Sequence, residues 1–66
     1  MRVSLKAARI NAGYTQKQAA DLVGVTPSTI IKWESGKTFP KADKFAELCK
    51  IYKADFNDIF LPVRFD

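Results

Sequence analysis

The sequence contains no histidine and a single cysteine, Cys49. One thiol excludes an internal disulfide, and without histidine no familiar zinc site is completed. No metal and no other cofactor is therefore expected. No apolar stretch follows Arg2, so the N-terminus does not read as a secretion signal. No uninterrupted apolar run approaches the roughly 20 residues that span a bilayer, and a cytoplasmic protein without membrane association is expected. Also missing are a nucleophile–base pair and a glycine-rich loop to cradle phosphate. An enzyme is not expected, nor is a small-molecule ligand. Cys49 falls on an apolar helical stripe, where a buried structural thiol is the ordinary role.

What is present suffices for one small domain, residues 1–66. The chain is 47% hydrophobic and carries five Phe, two Tyr and one Trp. A domain of this size buries only about 60% of the surface its unfolded chain exposes, so its stability is modest. Charge is unevenly spread. Residues 1–37 hold six bases (Arg2, Lys6, Arg9, Lys17, Lys32, Lys37) against two acids, Asp21 and Glu34, whereas residues 38–66 hold five of each sign. The whole net charge of +4 thus lies in the first part of the chain, as expected of a surface that faces a polyanion.

Three glycines and three prolines punctuate the chain: Gly13, Gly24, Pro27, Gly36, Pro40 and Pro62. Between them the apolar spacing is helical. Ser4 is a candidate N-cap for a first helix through about Asn11, with Leu5, Ala8 and Ala12 on one side and Gly13 just beyond its end. Thr15 caps a second helix, Gln16 to Val23, which Gly24 stops. Thr26 follows almost at once and caps a third, with Pro27 at its first position and Gly36 at its close. Two helices of about two turns joined by a very short glycine-containing turn are the signature of a helix-turn-helix, here about residues 15–35. Pro40 opens a fourth helix bearing the stripe Phe45, Leu48, Cys49 and Tyr52. Asp55 caps a short fifth, Phe56 to Phe60, with Asp58 as the acidic half of a capping box and Pro62 ending it. The expected fold is all-α, a compact five-helix domain with a C-terminal tail at residues 61–66.

The third helix has one free face. At about 100° per residue, Ile30 and Trp33 lie about 60° apart and face the core together. Ser28, Lys32 and Ser35 then point away, edged by Thr29 and Ile31. Small hydroxyls near the helix start let its backbone approach a major groove closely. Serine pairs with any base edge, lysine reaches guanine O6 and N7, and an aliphatic group meets the thymine methyl. The same composition also describes an ordinary solvated face, so these residues alone leave both readings open.

Taken together, Gly13-Tyr-Thr-Gln16, Ala19-Ala20, Gly24-Val25, Ser28-Thr-Ile30, Trp33-Glu34-Ser-Gly36-Lys37 and Pro40 resemble the Xre family, the Cro/C1-type helix-turn-helix regulators. The resemblance spans roughly Leu5 to Phe60. It implies a lambda-repressor-like fold in which the second and third helices bind duplex DNA. It implies that Pro27, Ser28 and Lys32 face the bases, to which the free face of the helix adds Thr29 and Ile31, and that Gln16, Ser35, Lys37, Thr38 and Lys41 lie along the phosphates, where Thr15, Lys17, Thr26 and Lys6 are expected as well. Gln16 matches a glutamine that also supports the third helix. Arg9 and Glu34 match a pair that ties the first helix to the end of the third. Two departures stand out. Ala19 occupies a position where leucine is usual, leaving a thinner core for Trp33 to fill. Pro27 brings no polar side chain to the bases, which shifts specificity toward the shape of the site.

The function implied is sequence-specific regulation of transcription, most simply repression, by a weak homodimer on an inverted repeat, formed in solution or on the DNA itself. The neutral C-terminal part and the Leu61 to Phe65 tail are candidates for pairing; equally, that tail is a candidate strap over the monomer's own core. The alternative is a protein-interaction module on the same scaffold, such as an antitoxin or an antirepressor.

Overall fold

A computed structural model of the chain describes residues 2–60. Its elements run β1 (Val3–Ser4), α1 (Leu5–Asn11), α2 (Gln16–Val23), α3 (Pro27–Ser35), α4 (Ala42–Tyr52), a 3-10 turn (Phe56–Asp58) and β2 (Ile59–Phe60). The expectations about Leu61 to Phe65 and about Pro62 lie outside the described residues.

Each of the first three helices begins on a hydroxyl cap. The side chains of Ser4, Thr15 and Thr26 accept hydrogen bonds from the backbone N–H of Ala7, Gln18 and Thr29, each supplying a partner to an N–H that the helix itself leaves unpaired. α1 closes with the Gly13 N–H on the Ile10 carbonyl and the Tyr14 N–H on the Arg9 carbonyl, which satisfies two of its last acceptors. α2 and α3 each end on a glycine in the left-handed region, Gly24 at φ +81° and Gly36 at φ +83°. A side chain there would push Cβ against the following carbonyl. With Gly24 in that conformation the chain turns within three residues, and the Thr26 cap starts α3 immediately.

α4 starts later than the proline suggested. Pro40 is itself buried, and Lys41 behind it is extended (φ −67°, ψ 163°) and serves as N-cap without a side-chain cap bond. Burial of the Pro40 ring draws the chain inward before it coils, so the helix opens at Ala42. All four residues of the expected stripe, Phe45, Leu48, Cys49 and Tyr52, are buried. α4 ends on Lys53 at φ +52°, a left-handed position without glycine.

The expected fifth helix is not formed. Asp55 accepts from the Asn57 N–H and holds a single 3-10 turn, and the Asp58 N–H bonds the Asp55 carbonyl. Ile59 and Phe60 then run as a strand parallel to β1, with Val3 opposite Ile59 and Ser4 opposite Phe60. A five-residue helix would gain few intrahelical bonds for the cost of nucleation. As a strand, the segment instead buries Ile59 and leaves Phe60 exposed beneath the Arg2 guanidinium, 5.8 Å from the ring centre. The fold among the described residues is therefore four α-helices closed by a two-stranded ladder rather than a five-helix bundle.

One core joins these elements: Leu5 and Ala8 from α1, Ala19, Ala20 and Val23 from α2, Ile30 and Trp33 from α3, the α4 stripe, and Ile59. Ala19 and Ala20 are completely buried. Alanines at this position let α2 and α3 approach closely, and the bulky Trp33 belongs to the same cluster. The result positions α3 with Ile30 and Trp33 inward and its other side in solvent.

Candidate nucleic-acid interface

The second helix is fixed at its start by reciprocal bonds. Gln18 N–H donates to the Thr15 hydroxyl at 3.1 Å, and the Thr15 N–H donates to Gln18 Oε1 at 2.9 Å. This capping box was legible as Thr-x-x-Gln in the sequence but was missed there. At its end, Lys44 of α4 donates to the Val23 carbonyl at 3.0 Å, a tie between distant segments that no local pattern announces.

α3 is anchored beneath by a buried polar network. Arg9 Nε donates to Glu34 Oε2 at 2.7 Å and Nη2 to Oε1 at 3.3 Å, while Nη1 donates to the Tyr14 carbonyl at 2.9 Å. Gln16 Nε2 adds a bond to Glu34 Oε1 at 3.1 Å. The Arg9 and Glu34 side chains are only 9% and 5% exposed, so the pair is shielded from water and salt. A buried charge pair is tolerable only when its remaining hydrogen-bonding capacity is also used. Here the Tyr14 carbonyl and Gln16 do that. One carboxylate on α3 thus joins the end of α1 and the start of α2.

Tyr52 stands close to this network. Burial pushes its phenol from the ordinary 10 up to about 12; the negative charge of Glu34 adds to the rise and Arg9 opposes it. Its hydroxyl is buried without a hydrogen-bond partner. The Cys49 thiol is also raised, first by burial and then by the charge of Asp55, which keeps it protonated and unreactive.

On the free side of α3, Pro27, Ser28, Ile31 and Lys32 are exposed and Thr29 is half-buried. The Thr29 hydroxyl lies 3.0 Å from that of Thr26, and Ser35 Oγ donates to the Lys32 carbonyl at 3.2 Å. The N–H groups of Lys37 and Thr38 converge on that same carbonyl, so the loop after α3 folds back against its last turn. Thr15, Lys17, Thr26, Ser35, Lys37, Thr38, Lys41 and Lys6 are all exposed, and Gln16 is half-buried because it serves Glu34. Lys17 faces Asp21 at 3.5 Å, in an exposed pair that leaves its charge available to another anion. The structure brings Arg9, Gln16 and Glu34 together, and Lys32, Ser35, Lys37 and Thr38 around one carbonyl. Lys6, Lys17 and Lys41 stand apart on α1, α2 and the entry to α4.

Among the described residues, no group of three or more His, Cys, Asp or Glu side chains is placed to hold a metal ion. No described helix is long and apolar enough to cross a membrane.

The chain matches the helix-turn-helix family over residues 5–59. It is 30% identical over 60 residues to the HTH-type transcriptional regulator YgzD of Bacillus subtilis (strain 168), covering 91% of each chain. Two HTH-type transcriptional regulators of Archaeoglobus fulgidus are 33% and 31% identical over 61 residues. Each of those alignments covers 92% of this chain, and they cover 86% and 87% of the respective relatives. No solved structure matches the chain. The match from Leu5 to Ile59 takes in the capped α2–α3 unit and the Arg9–Glu34 tie beneath it, and the chain belongs to the Cro/C1-type (Xre) helix-turn-helix family of DNA-binding transcription regulators.

Proposed function

We propose that the protein is a sequence-specific repressor that lays α3 in the major groove and acts as a dimer on an inverted repeat in the cytoplasm. The observation that carries the reading is the two-sided character of α3. Ile30 and Trp33 are locked in the core, Glu34 is held by Arg9 and Gln16, and Ser28, Ile31 and Lys32 are left to solvent. A helix held so firmly from behind presents its exposed face with little freedom to lose on binding. Ser28 and Lys32 supply hydrogen bonds to base edges, while Lys6, Lys17, Lys37 and Lys41 supply phosphate contacts that set affinity rather than sequence. One such domain reads only a few base pairs. Two copies, with half-sites about one helical turn (~34 Å) apart, extend the site to a useful length. The protein acts by binding alone, without catalysis, cofactor or small-molecule ligand.

The test is selection from a random-sequence duplex pool, run in parallel for the wild type and for a Ser28→Ala, Lys32→Ala double variant. An enriched inverted repeat whose preference relaxes in the variant supports the proposal. Salt-sensitive binding with no enriched motif would replace it with non-specific DNA association. No binding even at low salt would turn attention to a protein partner, as for an antitoxin or antirepressor.

A further inference from the structure

Of the exposed large hydrophobic residues, Ile31 alone lies on α3, with 48% of its surface in solvent. Helical geometry places it about 60° from Ser28 and about 40° from Ser35, inside the same stripe as the polar readers. Its Cβ leans toward the helix start, so its methyl groups cover the surface beside Ser28. The branched side chain has essentially one rotamer in a helix and presents those methyls in a fixed direction.

The hydrogen-bonding partners around it are few. The Thr29 hydroxyl is turned to Thr26, and the Ser35 hydroxyl to the Lys32 carbonyl. Pro27 has no polar side chain. Only Ser28 and Lys32 remain on this face without a side-chain hydrogen bond or ion pair among the described residues. Lysine selects guanine through O6 and N7, but serine pairs with any base. Discrimination at a second position therefore needs a different chemistry, and Ile31, the one large hydrophobic side chain exposed on α3, supplies it.

We infer that Ile31 is a specificity-determining residue that recognises thymine by packing against its C5-methyl group, beside a base pair read by Lys32. This rests on α3 entering the major groove as proposed above. Each preferred half-site then contains a thymine whose identity is carried by its methyl group alone. Cytosine in that place offers no methyl, and uracil preserves every hydrogen bond of thymine while removing the contact.

The selected half-site is resynthesised with each thymine in turn replaced by deoxyuridine, and affinities are measured for wild type, Ile31→Val and Ile31→Ala at fixed salt. At one position the wild type binds the uracil duplex about fourfold more weakly per half-site, the fold-change equivalent to one methyl or methylene group buried at about 0.8 kcal/mol. Ile31→Val retains most of that difference, and Ile31→Ala binds both duplexes alike. A selected half-site without a preferred thymine overturns the inference. So does equal binding of both duplexes by the wild type, or a uracil penalty that persists in Ile31→Ala. Failure of the wild type to bind any duplex at low salt rejects the groove-binding reading itself, a result distinct from indifference to the methyl group.

Discussion

Replacing Glu34 by alanine removes the one carboxylate that Arg9 and Gln16 share. Arg9 keeps its bond to the Tyr14 carbonyl, but its charge is left unpaired at a site where its side chain is only 9% exposed. Breaking a buried ion pair in this one-sided way costs about 3–5 kcal/mol, and the bond from Gln16 adds about 0.5–1.5 kcal/mol. Against this, a chain of 66 residues has a total stability of roughly 3–10 kcal/mol. Glu34→Ala is therefore expected to leave the domain marginal or unfolded at 25 °C. The assay is equilibrium urea unfolding followed by the fluorescence of Trp33, which is 6% exposed and next to Glu34 in sequence. Arg9→Met combined with Glu34→Leu is the decisive control. It removes both charges and fills the space with apolar groups, so it should cost much less than either single alanine replacement. A loss below about 1 kcal/mol for Glu34→Ala would refute the argument that this pair fixes α3. So would a double-mutant cycle in which the Arg9 and Glu34 effects simply add.

Tyr52→Phe removes a buried hydroxyl that has no partner and should raise stability by about 1 kcal/mol in the same urea experiment. Because the folded phenol ionises near 12 instead of 10, the unfolded chain loses its proton first. Wild-type stability should therefore fall between pH 10 and 12, and the part due to this group should vanish in Tyr52→Phe. Gly24→Ala has open space around the added methyl but a φ of +81°; it should cost about 1–2 kcal/mol from backbone strain alone, measured by thermal unfolding. Lys53→Gly relieves a left-handed residue at the end of α4 and should gain up to about 1 kcal/mol, read as a higher midpoint. Lys37→Ala, on the exposed loop after α3, should weaken binding to all duplexes and lower the log–log salt slope by about 0.9 per protomer.

The parts of this fold that were legible in the sequence are those whose causes lie within a few residues. Ser4, Thr15 and Thr26 act through the N–H three residues on, and Gly24 and Gly36 through their own backbone, so the first three helices follow from local spacing. The Phe45–Tyr52 stripe is legible for the same reason. The segment after Asp55 was misread because its conformation is decided by Val3 and Ser4, at the far end of the chain; locally, a cap followed by apolar residues and Pro62 suits a short helix equally well. The start of α4 shifted because Pro40 is drawn into the interior, a tertiary effect. Arg9 and Glu34 are 25 positions apart, beyond any periodicity, and the pair was expected only through family resemblance. Tyr52 was recognised as buried, but its position beside Glu34 depends on how α4 crosses the network. Which bases the exposed α3 residues meet lies in the DNA as much as in the protein.

The pairing of Val3 with Ile59 and Ser4 with Phe60 has a consequence for the order in which the domain assembles. The four helices depend mainly on neighbours in sequence and belong to the fast class of folding events, whereas a contact between the two ends of the domain must wait for the whole loop to close. On the ribosome, the chain is made with its N-terminal end first, so α1 exists before β2 does. Until Ile59 and Phe60 have been synthesised, the side of α1 that they contact has no cover from them. A released fragment that stops short of residue 59 should hold the α2–α3 unit yet remain sensitive to protease near β1 and α1. The last described strand thus works as a latch, and the domain reaches its final stability only when Ile59 and Phe60 have paired with Val3 and Ser4.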